Sequence, residues 1–193
     1  ELTNQALRTP AFPEGYVERL RTQILTGLAI RAQDTEEMAS LAFDKIVYKG
    51  HPYSRAEDGY PETIQAITAQ DLVDFHQRCY GPRGMVISIV GGIEPEVAID
   101  KITRVLGDWS NPHQPLIPEL PPVNPLTQIV RQHIQIPGKS QADLLIGCVG
   151  PQRRSPDYLP AALGNSVLGQ FGMYGRIGER VRTQAGLAYY AYS

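Results

Sequence analysis

Prolines at positions 112, 115, 118, 121, 122 and 125 constrain the chain between Ser110 and Thr127 more than any other feature of its sequence. Each lacks the backbone N–H that a helix or a ladder would use, and each fixes φ near about −65°. A stretch so poor in donors takes an extended, semi-rigid path. It therefore predicts an interdomain linker over 110–127, with one folded part at 1–109 and another at 128–193.

Before the linker, Tyr16, Leu20, Ile24 and Leu28 recur at steps of four after Pro13, which predicts an amphipathic helix within 12–33. Asp34 is placed to cap a second helix over about 35–48, which ends before the Gly/Pro turn "KGHPYS". Thr68 and Asp71 have the spacing of a capping box, and Leu72, Phe75, His76 and Cys79 follow at helical spacing up to Tyr80. The short β-branched run "MVISIVGG", 85–92, predicts a strand buried on both faces. Pro95 then opens a helix that closes at Gly107 and Asp108.

Beyond the linker, "QIVRQHIQI", "PGKS" and "QADLLIGCV" read as a β-hairpin or two adjacent strands. Ser155 with Pro156 at the first helical position predicts a helix carrying Tyr158, Leu159, Ala162, Leu163 and Val167, which stops around "GQFG". A last helix, about 174–184, ends at Gly186 as a left-handed C-cap, and "LAYYAYS" follows as a strand.

Composition narrows the function. A hydrophobic content of 42% and a charged content of 20% are those of a soluble globular chain, and a net charge of −2 gives no basic excess to hold nucleic acid. No apolar run approaches the roughly 18 residues of a membrane span. Cys79 and Cys148 stand apart, so neither a CxxC knuckle nor a disulfide framework is present. The histidines, His51, His76, His113 and His133, fall on different elements, and none lies in HxxEH or HxxH. A zinc site needs three directed protein ligands, so no metal ligand and no cofactor are expected in this chain. His76 beside Phe75 reads as a packed histidine and His51 before Pro52 as a turn residue.

Two residues can carry chemistry. Arg182 falls in the last turn of the final helix and Tyr189 on the chain returning from Gly186. Taken locally, the arginine suits the helix dipole and the tyrosine suits a half-buried strand. In a functional arrangement the phenol donates a hydrogen bond to the oxyanion formed at an attacked carbonyl, and the guanidinium holds a neighbouring substrate carbonyl. The glycines at 164, 169, 172, 175 and 178 lack a following GK[ST], so they point to close backbone approach to a bound chain rather than to a phosphate cradle.

The stretch "GHPYSRAEDGYPETIQAITAQDLVDFHQRCYGPRGMVISIVGGIEPE" resembles the middle of a domain of the M16 peptidase family, the group of pitrilysin, insulin-degrading enzyme and mitochondrial processing peptidase. The later "LGQFGMYGRIGERVRTQAGLAYYAYS" resembles the start of that family's second domain. The resemblance covers nearly the whole chain, and it implies an α+β fold of helix-backed sheets. In that frame 1–109 is the later part of one domain, and 128–193 is the opening part of the next.

The resemblance also implies that Arg182 and Tyr189 match the family's R/Y pair, which binds substrate and stabilises the tetrahedral intermediate opposite a zinc ion. Arg176 matches an arginine often seen just before the pair, without an assigned role. The family's metal site is HxxEH with a later glutamate. HxxEH is absent here, the chain begins downstream of its expected place, and the glutamate position reads Gly27 or Leu28. The implied protein is a zinc-less subunit or inactive homologue, inert alone, whose zinc is supplied only by an HxxEH-bearing partner. Its substrate is a peptide or unfolded polypeptide. Unpaired sheet edges predict a homo-oligomer of the chain. The alternative is a structural or peptide-binding homologue in a larger complex.

Overall fold

A computed structural model of the chain describes residues 2–170 and 174–193. The chain divides into two units, Glu1–Ile146 and Gly147–Ser193. In the first, six α-helices follow one another: α1 (Leu2–Arg8), α2 (Glu14–Arg31), α3 (Thr35–Val47), α4 (Pro61–Ala66), α5 (Ala69–Cys79) and α6 (Pro95–Leu106), with a 3-10 turn at Pro52–Ser54. In the second, α7 (Tyr158–Asn165) runs into a π-helical segment, Ser166–Gln170, and the short α8 (Arg176–Gly178) runs into another, Glu179–Gln184.

Helix starts follow the caps in the sequence. The Asp34 carboxylate accepts the Glu37 N–H at 2.9 Å and opens α3. At α5, the Thr68 hydroxyl accepts the Asp71 N–H at 3.1 Å while the Asp71 carboxylate accepts the Thr68 N–H at 2.7 Å and its hydroxyl at 2.6 Å. The Thr68 hydroxyl, and then its N–H, hold the Asp71 carboxyl below its ordinary value. A depressed folded pKa stabilises the fold above the unfolded value, near about 3.9, and that contribution is lost as pH falls through the folded one. The gap in thermal midpoint between the protein and Thr68→Val is therefore expected to be widest at neutral pH and to narrow below about pH 4, leaving the cost of the lost acceptor for the Asp71 N–H. A gap that stays constant from pH 7 to pH 3 would rule out this coupling.

The expected α+β fold is overturned: among the described residues there is no strand, and all regular structure is helical. The segments 85–92, 128–136, 141–149 and 187–193, read above as strands, carry no ladder. Their backbone bonds are local, such as Met85 N–H to Pro82 C=O and Ile93 N–H to Gly91 C=O. An apolar, β-branched run favours extended backbone, but a strand exists only when a second segment completes its hydrogen bonds, and no described segment does so. Val90 and Ile146 accordingly stand 96% and 84% exposed instead of sharing a core.

Among the described residues the buried apolar side chains are Leu28, Val47 and Ala98. The α2 stripe is inward only toward its C-terminal end: Leu28 is buried, whereas Tyr16 and Leu20 face solvent. Tyr16 is instead covered on one face by the Arg19 guanidinium, 4.8 Å from the ring centroid. Arg21, on the same helix, donates to the carbonyls of Ile64 and Gln65 at the end of α4, and Arg31 donates to the Gly59 carbonyl at 3.1 Å. Arg8 and Asp108 form an ion pair at 2.7 Å.

The proline-rich stretch has no helix. Its first residues are tied down by side chains rather than by backbone pairing. Asn111 donates to the Gln77 and Tyr80 carbonyls at 2.8 and 2.7 Å, satisfying acceptors that the end of α5 leaves open. Gln114 exchanges bonds with the Arg83 backbone, accepting its N–H and donating to its carbonyl, both at 3.0 Å.

In the second unit the Ser155 hydroxyl accepts the Asp157 N–H at 3.2 Å, but α7 begins only at Tyr158, two residues after Pro156. The bond closes a short turn on its own residues instead of starting the helix, which is the common local competitor of an N-cap.

Candidate functional site

The last turn of the Glu179–Gln184 segment decides where Arg182 and Tyr189 stand. Gly186 has φ of +63°, the left-handed conformation that a glycine adopts without a Cβ penalty. The Gly186 N–H donates to the Arg182 carbonyl at 3.1 Å and the Leu187 N–H to the Val181 carbonyl at 3.0 Å. The first is the bond of a glycine-ended αL cap, while the second reaches one residue further back than the corresponding Schellman bond. The wider π-helical winding explains the difference, since the Ala185 N–H already reaches the Arg180 carbonyl at 3.1 Å.

The reversal brings the two side chains together. The Arg182 guanidinium lies over the Tyr189 ring, 4.8 Å from its centroid. A cation over an exposed aromatic face is worth about 0.5–1 kcal/mol. Arg182 is half-buried and Tyr189 is 81% exposed, so the phenol is open to an approaching molecule. The stack uses the face of the ring and leaves the hydroxyl to donate, while the edge of the guanidinium keeps its N–H donors. Chemically the pair offers two adjacent donors to carbonyl oxygens.

The glycines expected to permit close approach do so within the chain. A Cβ on Gly175 would lie 2.6 Å from the Gly169 Cα, and one on Gly169 would lie 2.8 Å from the Ser193 nitrogen. Gly164 has nothing within 4 Å. Gly172, and with it the end of "GQFG", lies outside the described residues.

The histidines stay apart in role as in sequence. His51 is buried, and its Nδ1 accepts the Tyr53 N–H at 3.1 Å, starting the turn at Pro52. Its ring meets Tyr53 edge-on at 4.5 Å. His76 stacks on Tyr80 at 4.8 Å, with Nε2 2.8 Å from the Leu7 carbonyl oxygen. His113 and His133 are exposed. Among the described residues no three of His, Cys, Asp and Glu stand close enough to hold a metal ion.

Gly27 and Leu28 instead line an open cleft of about 490 Å³ with Ile24, Arg31, Asp34 and Asp58. Arg31 faces Asp58 there at 3.7 Å. Sequence reasoning missed this cleft because Asp58 reaches it from a loop far along the chain, and no local pattern marks that meeting. Asp34 was visible only as a cap.

Residues 66–193 match the peptidase M16 inactive domain family. The chain is 26% identical to an "uncharacterized zinc protease" of Mycobacterium leprae over 92% of its own length and 40% of that protein. It is 22% identical to cytochrome b-c1 complex subunit 1, mitochondrial, of Mus musculus over 89% of its length and 35% of that protein. The chain thus spans well under half of the curated relatives it matches. Among solved structures it resembles a peptidase M16 inactive domain from Pseudomonas fluorescens, with a TM-score of 0.78 and 27% identity over 100% of this chain and 46% of that one. The chain belongs to the peptidase M16 inactive domain family.

Proposed function

We propose that this chain supplies the substrate-holding half of a divided M16 peptidase site, in which Tyr189 donates to the oxyanion and Arg182 orients the peptide backbone. The observation that carries the reading is the Arg182 guanidinium stacked 4.8 Å over an exposed Tyr189, which sets two donors side by side. Donors held in place before charge develops are the strongest form of transition-state stabilisation for acyl transfer. The metal, its water and the general base come from an HxxEH-bearing partner. Peptides or unfolded polypeptides are the substrates, and the stretch 110–127 acts as the link between two M16-like parts. The exposed apolar residues around Val90 and Ile146 favour burial against another chain.

The test is peptide cleavage by this protein alone, by an HxxEH-bearing M16 chain from the same source alone, and by the two mixed. Cleavage that appears or rises sharply only in the mixture is the expected result. A mixture that assembles, by light scattering, yet cleaves no faster than the HxxEH-bearing chain by itself would reject it. The second reading is a structural or peptide-binding role, favoured by the similarity to a cytochrome b-c1 complex subunit and to a "non-peptidase homolog" of Helicobacter pylori, 23% identical over 102 residues.

A further inference from the structure

The second unit has a charge character that the whole chain hides. Its cations are Arg153, Arg154, Arg176, Arg180 and Arg182, with no lysine, against Asp157 and Glu179. The chain as a whole is net −2. The ion pairs among the described residues use Arg8, Arg21, Arg31 and Arg104, all in the first unit. None of the five arginines of the second unit is neutralised by one.

Three of them share a single helical run. Arg176 opens α8, Arg180 and Arg182 lie in the π-helical segment that continues it, and Arg176 and Arg180 are exposed. The one acid on the run, Glu179, is kept from Arg180 by a neutral side chain. Arg180 Nη1 donates to Gln184 Oε1 at 3.1 Å, and Gln184 Nε2 donates to Glu179 Oε1, also at 3.1 Å. Gln184 bridges the two charges and leaves the other guanidinium N–H groups of Arg180 open.

We infer that Arg176 and Arg180 select acidic peptides from among those that Arg182 and Tyr189 hold, pairing with their carboxylates. The inference rests on the reading of that pair as a peptide-holding site. Spacing supports it. Residues four apart on a helical run are neighbours on one face, so Arg176 and Arg180 present two guanidinium groups to the same stretch of peptide. Guanidinium groups match carboxylates with paired parallel hydrogen bonds, which lysine would not provide. A polyanion such as RNA would also meet cations here, but it needs many phosphate contacts along its backbone, and this run offers three cations beside a carboxylate.

The test is fluorescence anisotropy on the whole chain with three probes of equal length: an unstructured peptide carrying glutamates, the same peptide with glutamines, and a single-stranded RNA. The acidic peptide is expected to bind roughly five- to tenfold more tightly than the neutral one at low salt, the scale of one or two exposed ion pairs. Raising the salt should erase the difference. The double change Arg176→Gln with Arg180→Gln should remove the preference, and Arg104→Gln on α6 should preserve it. Equal binding of the two peptides, a preference that survives the double change, or RNA binding as tight as the acidic peptide would each overturn the inference. These readouts involve no cleavage. A mixed complex that fails to hydrolyse peptides would therefore sink the catalytic reading without touching this one.

Discussion

Replacing Tyr189 by phenylalanine is expected to slow peptide cleavage by the mixed complex by about 10²–10³-fold, the range measured when one oxyanion donor is removed from an acyl-transfer site. The change deletes one hydroxyl and keeps the ring. The stack with Arg182, 4.8 Å from the centroid, should therefore survive, and with it the position of the guanidinium. Because the hydroxyl acts on charge that exists only in the transition state, the loss should fall on kcat with KM nearly unchanged. Arg182→Ala should act differently, raising KM as well, since a guanidinium that holds a substrate carbonyl contributes before the chemistry begins. A phenylalanine variant as fast as the parent would remove Tyr189 from the chemistry and leave the structural or peptide-binding role in its place.

The largest stability effect is expected at a glycine whose backbone is otherwise ordinary. Gly175 has φ of −81° and ψ of 161°, open to any residue, so conformational strain does not explain the glycine. Contact does. A Cβ there would meet the Gly169 Cα at 2.6 Å, the Leu168 carbonyl oxygen at 3.0 Å and the Gly169 nitrogen at 3.1 Å. All three are backbone atoms and cannot rotate aside. Gly175→Ala must push α8 away from the Ser166–Gln170 segment, at a cost of about 1–3 kcal/mol, the usual penalty of overpacking. Gly164→Ala makes the opposite prediction. It sits inside α7 with nothing within 4 Å, so alanine should stabilise by about 0.5–1 kcal/mol. Hydrogen exchange across 158–193 separates the two, with faster exchange expected in the first variant and slower in the second. Equal rates in both would show that the close approach is not a constraint.

What was legible in the sequence divides along the range of the interactions involved. The Asp34 cap, the Thr68–Asp71 box, the Pro95 start of α6 and the Gly186 turn are each closed within a few residues, and each is found where the pattern puts it. The convergence of Arg182 and Tyr189 belongs with them, because one turn carries it. Strands were read from "MVISIVGG" and its counterparts by the same local logic, but a ladder is a relation between distant segments, and composition gives only half of it. The exposed Tyr16 and Leu20 fail for a similar reason: period four marks a face of α2, not the presence of a neighbour along its full length. The short α1 and α4 left too little periodicity to notice. The side-chain ties of Asn111 and Gln114, 31 residues or more from their partners, left no pattern at all.

The π-helical winding of Glu179–Gln184 makes the spacing of the pair a property of helix pitch rather than of residue count. A segment wound with i to i+5 bonds holds more residues per turn than an α-helix, so one residue can be taken from it if the turn tightens. Such a deletion would leave a sound helix and an intact Gly186 turn, yet rotate Arg182 about the axis relative to the returning chain and draw its guanidinium off the Tyr189 ring. The alignment of these two side chains is thus open to insertion and deletion as well as to substitution, and a chain could lose it while every residue named here is kept.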